Sequence, residues 1–129
     1  MSFQEALVEH LGAIRARNLE KVLATLPSEG PVNVVLPNGS LLASIGELKD
    51  FYKEWFDDLD WEISHKVVFS EVSNELGYGV ITAVYQDIDD EGESFDIDLT
   101  MSVVMRLVDD KWVMVLTQNT ELEEVEDEE

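Results

Sequence analysis

Residues 111–120 read Lys111-Trp112-Val113-Met114-Val115-Leu116-Thr117-Gln118-Asn119-Thr120, and how this stretch is read decides the fold. Asp109-Asp110 supplies a turn before it. Val, Leu, Met and Trp fill its first half, a composition suited to a strand buried on both faces. It then becomes polar at Thr117, Gln118 and Asn119 with no Gly or Pro to end it. A central strand of this kind can hold a sheet together with its apolar half and line a cavity with its polar end.

Working back from that strand, the period of two continues. Phe95, Ile97, Leu99, Met101, Val103 and Met105 alternate with Asp96, Asp98, Thr100 and Ser102, which places the two aspartates on the opposite face. Asp89-Asp90-Glu91-Gly92 is a turn, and the segment from Gly77 to Ile88, rich in Val, Ile, Thr and Tyr, is a second long strand. Trp61, Ile63, His65, Val67 and Phe69 alternate with polar residues and define one face of a third.

Before Asp57 the period is helical. Ser2 and Glu5 have capping-box spacing, and Phe3, Leu7, His10, Leu11 and Ile14 form one stripe behind them. Asn18 can end that helix and cap a second, whose buried face is Leu19, Val22, Leu23 and Leu26, closed by Pro27. Asn38-Gly39 between two short apolar runs is a hairpin signal. Ser44 and Glu47 open a third helix with Leu48, Phe51, Tyr52, Trp55, Phe56 and Leu59 on one face. The order ααββα followed by four strands predicts an α+β fold with an antiparallel sheet.

Composition bounds the function. The 129 residues suit one domain, and 45% hydrophobic content suits a folded one. A net charge of −21 argues against nucleic-acid and anionic-membrane partners, which require a cationic surface. Removing the seven acidic residues between Glu121 and Glu129 still leaves −14, so the acidity belongs to the folded part as well. No apolar run approaches the roughly 18 residues of a membrane span. The start of the chain lacks the basic and apolar regions of a signal peptide, which sets a cytoplasmic expectation. With no Cys there is neither a disulfide framework nor a thiolate metal site.

Three segments together carry a family resemblance: AIRARNLEKVLATLP at 13–27, VVLPNG at 34–39 and DDKWVMVLTQNT at 109–120. The chain from about Phe3 to Thr120 resembles the NTF2-like superfamily, and within it the SnoaL-like and ketosteroid-isomerase-like domains. The resemblance implies a cystatin-like cone in which three N-terminal helices pack in a curved antiparallel sheet around a cavity. It places the last strand between the hairpin and the third long strand, and implies a homodimer through the sheet face. The domain then spans 1–120, with an acidic, disordered tail at 121–129.

The chemistry of the family's isomerases does not carry over residue by residue. Their base stands just before a Pro on the first strand, where this chain has Leu36 before Pro37. Their oxyanion hole pairs a Tyr and a protonated Asp at positions matched here by His10 and Val103. The expected cavity residues are therefore His10, Tyr52, Trp55, His65 and Gln118, with Trp112 supporting the wall. For His10 and His65 two readings stand: a buried neutral imidazole held by a hydrogen bond, or a cavity group that binds ligand or acts as a base. For Tyr52 and Trp55 the choice is between core packing and an aromatic pocket wall.

Neither histidine has a sequence-local metal partner, so no metal or other cofactor is expected. Asp87, Asp89, Glu91, Gly92 and Asp98 match a calcium loop only in part, and an acidic hairpin turn explains them. Three functions are open to such a chain: a domain that binds a small hydrophobic molecule, a lyase, isomerase or cyclase using histidine as base, or a protein-interaction module.

Overall fold

The computed structural model describes residues 1–122. The tail expectation for 123–129 lies outside them; Glu121 is the last residue of the sheet, and Leu122 N–H donates to Asp98 O at 2.9 Å.

Local signals set the helices. α1 (Phe3–Arg15) starts at a complete capping box, with Ser2 Oγ accepting from Glu5 N–H and Glu5 Oε1 accepting from Ser2 N–H. α2 (Leu19–Ala24) is capped by the Asn18 side chain. β1 (Asn33–Val35) and β2 (Leu41–Leu42) form the expected hairpin, turning at Gly39 with φ 90°. α3 (Ile45–Asp57) is capped by Ser44 and buries Leu48, Tyr52 and Phe56. Four long strands complete the chain: β3 (Glu62–Ser73), β4 (Leu76–Ile88), β5 (Ser94–Val108) and β6 (Lys111–Glu121).

One sheet contains all six strands in the order β2-β1-β6-β5-β4-β3. The last strand is interior, between the hairpin and β5, as expected. The sheet is mixed, however: β1 runs parallel to β6, pairing Asn33 with Leu116 and Val35 with Gln118. The sequence predicts an antiparallel sheet, which holds for every pairing except this one. The correction has a topological cause, since β6 enters beside β1 after a long excursion through α3 and four strands rather than by a hairpin.

Two bulges bend the sheet around the helices. In β3 the register steps at Val68, with Val67 opposite Ile81 but Phe69 opposite Val80. In β6 it steps at Val115, with Met105 opposite Met114 but Val104 opposite Leu116. An extra residue in a period-two strand moves everything beyond it to the other face. Phe69, expected beside His65, accordingly lies on the outer face, half exposed and 6.0 Å from the Tyr78 ring.

The concave face holds the core. α1 lies so close to β4 that a Cβ on Gly77 would come 2.8 Å from the Phe3 ring, and one on Gly79 2.7 Å from Leu7. Hydrogen seats at these two positions are what admit the helix. Phe3, Leu7, Leu11, Ile81, Val103, Met105 and Met114 fill this end, and Trp112 meets Phe3 edge-on at 5.4 Å. Asp96 and Asp98 stand exposed on the convex side, as their alternation predicts.

Candidate functional site

At the other end of the concave face the helices and sheet diverge around a cavity of about 390 Å³. One wall is aromatic. Phe51, Tyr52 and Trp55 face it from α3 and Tyr85 from β4, because i, i+3 and i+4 positions share a helix face. Behind them Trp61, fully buried, stacks on Trp55 at 4.4 Å between ring centroids and donates its Nε1–H to Trp55 O at 2.9 Å. The Arg17 guanidinium lies 4.4 Å over Trp61 and donates to Leu59 O and Trp61 O, which anchors the loop after α3. The remaining wall is largely aliphatic, with Ile14, Val34, Leu36, Ile63, Ile97, Leu99 and Met101.

Few polar groups face this space. His10 is 1% exposed, and its Nδ1 lies 2.8 Å from Thr25 Oγ1. Desolvation, with a smaller contribution from the neighbouring His65, pushes its pKa down to about 4. His65 is also pushed down to about 4, chiefly by desolvation and then by the positive charge of Arg15. Both imidazoles are therefore neutral at pH 7. Both His65 ring nitrogens and Thr117 Oγ1 are buried without a hydrogen-bond partner. Asn119 Nδ2 donates to Val35 O at 2.8 Å, and Glu121 stands exposed at the cavity's edge. Burial raises the Tyr52 hydroxyl; that of Tyr85 is pushed up to about 12, by burial first and then by its bond to Asp87 Oδ2 at 2.7 Å.

Four of the expected residues, His10, Tyr52, Trp55 and His65, meet around this one cavity. Gln118 does not: it is exposed on the convex face, and its place is taken by Thr117 and Asn119. The bulge at Val115 is the cause, since it puts Trp112 and Met114 in phase with Thr117 and Asn119. Trp112 packs on Phe3 at the filled end of the core and borders a separate 230 Å³ groove with Lys21, Thr25 and Lys111. Leu36 lines the cavity and Val103 is buried in the core, so neither of those matched positions places an acid there.

The acidic turn after β4 is a hairpin turn: Asp89 Oδ1 accepts from Glu91 N–H and Glu93 N–H, and Gly92 has φ 82°. Among the described residues no group of three or more metal-ligating side chains is placed to hold an ion, and no helix is long and apolar enough to cross a membrane.

No protein-family model matches the sequence, and no curated protein matches it significantly. Solved structures resemble it over nearly its whole length. A ketosteroid isomerase-like protein from Erwinia carotovora atroseptica has a TM-score of 0.76 at 13% identity, covering 94% of each chain. An NTF2-like superfamily protein from Salmonella enterica serovar Typhimurium has a TM-score of 0.76 at 12% identity, covering 95% of this chain and 89% of that one. The CaMKII hub of S. rosetta has a TM-score of 0.72 at 15% identity, covering 92% of this chain and 93% of that one. The chain has the NTF2-like, cystatin-like fold. Proteins with such different descriptions share it, so function has to be argued from the site.

Proposed function

We propose that this NTF2-like domain binds a small, largely apolar organic molecule in its concave cavity. The observation that carries the reading is an aromatic and aliphatic wall around an open space, with His10, His65, Thr117 and Asn119 among its few polar members. His65 Nδ1, His65 Nε2 and Thr117 Oγ1 are sealed without a protein partner, which costs about 1–3 kcal/mol for such a group, and a rotation that brings one of them to a ligand offsets that cost. A volume of about 390 Å³ is within the range of small-molecule sites. Binding does not require turnover: the histidines are weak bases at pKa about 4, and Glu121 is the cavity's one carboxylate among the described residues.

A thermal-shift screen of small hydrophobic molecules, followed by native mass spectrometry, tests the reading. A ligand at 100 times its Kd stabilises the folded state by about 2.7 kcal/mol, a shift of several degrees. If no probe binds, and His10→Ala and His65→Ala leave the screen unchanged, the reading fails. A lyase, isomerase or cyclase would instead turn over a ligand found in this way, with loss of turnover in the same variants.

Self-association through the convex face has its own support. Phe69, Leu76 and Tyr78 are 52%, 51% and 38% exposed there, and structural relatives include a CaMKII hub. Light scattering coupled to size exclusion decides it: a monomer at micromolar concentration excludes a dimer of functional strength.

A further inference from the structure

The hydrogen-bonding polarity of the cavity's inner end is set by a residue outside it. Thr25 Oγ1 lies 2.6 Å from Val22 O and 2.8 Å from His10 Nδ1. Two oxygens at 2.6 Å need a proton between them, and a hydroxyl has only one to give. The Thr25 proton is therefore committed to Val22 O, and Thr25 Oγ1 is an acceptor toward His10. His10 must supply the second proton, which fixes its Nδ1–H tautomer. In a neutral imidazole that leaves Nε2 as a bare acceptor, on the far side of the ring and toward the cavity that His10 lines.

Thr25 itself is held rigidly. Its carbonyl accepts from Met114 N–H at 2.8 Å and its N–H donates to Val22 O at 2.9 Å, tying the end of α2 to the core of β6. Rotation of His10 or exchange of its tautomer would have to break this arrangement.

We propose that the cavity selects neutral, largely apolar molecules that carry an N–H or O–H donor, seated with that donor on His10 Nε2. The inference rests on the ligand-binding reading and narrows its ligand class. A ligand offering only a carbonyl or ether oxygen sets lone pairs against the Nε2 lone pair. A carboxylate adds charge repulsion in a chain of net charge −21. His65 and Thr117 are less restrictive: each has one proton and at least one lone pair without a protein partner, so each, on turning toward a ligand, can answer a hydroxyl or amide as donor or acceptor.

A shape-matched pair of probes separates donor from acceptor. Carbazole and dibenzofuran are flat tricycles of nearly equal size, the first with an N–H and the second with an ether oxygen in its place. Calorimetric titration of the full chain is expected to show carbazole binding about tenfold more tightly, the usual magnitude of one net hydrogen bond. Equal affinities, or tighter dibenzofuran, overturn the donor requirement and leave the ligand-binding reading standing. Failure of both to bind counts against that reading and removes the inference with it.

Long-range proton–nitrogen correlation spectra of the native protein report the tautomer directly. A protonated Nδ1 on His10 is expected, and a protonated Nε2 overturns the proposal. Thr25→Val removes the acceptor and should mix the tautomers and shrink the carbazole preference below about threefold, whereas Thr25→Ser should retain both. A Thr25→Val protein that keeps the full preference overturns the positioning role of Thr25.

Discussion

At one end of the concave face Phe3 and Leu7 lie directly on the backbone of β4, seated at Gly77 and Gly79. At the other, α1 presents His10 and Ile14 to a cavity, and the sheet opposite carries Thr117 and His65 with polar atoms unpartnered. The same helix and the same sheet make both ends. Two missing side chains on β4 let the helix touch the sheet at its N-terminal half, and beyond its middle the rings of α3 line the space between. The filled end contributes stability, while the open end gives up contacts and leaves polar groups waiting. Substitutions at the two ends should therefore differ in sign as well as size.

The largest effect belongs to the filled end. Phe3 is 2% exposed and meets both Gly77 and Trp112. Phe3→Ala should cost about 3–5 kcal/mol in chemical denaturation, the usual penalty for emptying a packed aromatic site. A loss below about 1 kcal/mol would mean that this end is no better packed than the other.

The next tests the open end through protons. Both histidines have folded-state pKa values depressed from 6.5 to about 4, so between those limits the unfolded chain binds more protons than the folded one. Stability then rises with pH across that window, is complete above about 6.5, and is lost as pH falls toward 4. The slope is at most about 1.4 kcal/mol per pH unit for each histidine. Relief of carboxylate repulsion on acidification acts in the opposite sense, so the informative quantity is the difference from a His10→Leu, His65→Leu variant between pH 6.5 and 5. Parallel pH profiles for variant and wild type would show that the imidazoles titrate normally and are not sealed.

Gly77→Ala sits third. Its Cβ would meet three atoms of a buried ring, and overpacking of this kind costs about 1–3 kcal/mol. At Gly79 the obstacle is the tip of Leu7, which can rotate, so Gly79→Ala should cost less. Reversal of that order would show that the ring, not the leucine, is the adaptable partner.

Much of this contrast was legible in the sequence, and its gaps have a common physical origin. Caps and helical stripes are local, so the helices, the stripe holding His10 and the aromatic stripe of α3 could be read directly. The hairpin could be read from Asn38-Gly39. The bulges could not, because an extra Val in Val67-Val68-Phe69 or Val113-Met114-Val115-Leu116 carries no mark in a run of β-formers. Each bulge reverses the parity of every residue beyond it in the strand, which put Phe69 inside and Gln118 in the place of Thr117 and Asn119. The parallel β1–β6 pairing is equally silent, since it joins segments more than eighty residues apart. Trp112 was displaced for a different reason: where α1 sits depends on the two glycines of β4, and their meaning appears only once the helix is laid on them.

The smallest expected effect is the sharpest test of that reversed parity. Thr117 is 6% exposed, and its hydroxyl has no partner in the folded chain. Thr117→Val keeps the shape and removes the hydroxyl, so stability should rise by up to about 1 kcal/mol, opposite in sign to every substitution at the filled end. Affinity for a donor-bearing ligand that uses the hydroxyl should fall over the same change by about three- to tenfold. Gln118→Ala, on the exposed face, should alter neither quantity by more than about 0.5 kcal/mol. If Gln118→Ala weakened binding while Thr117→Val did not, β6 would enter the cavity in the unbulged register, and the polar end of this strand would face it with the other set of side chains.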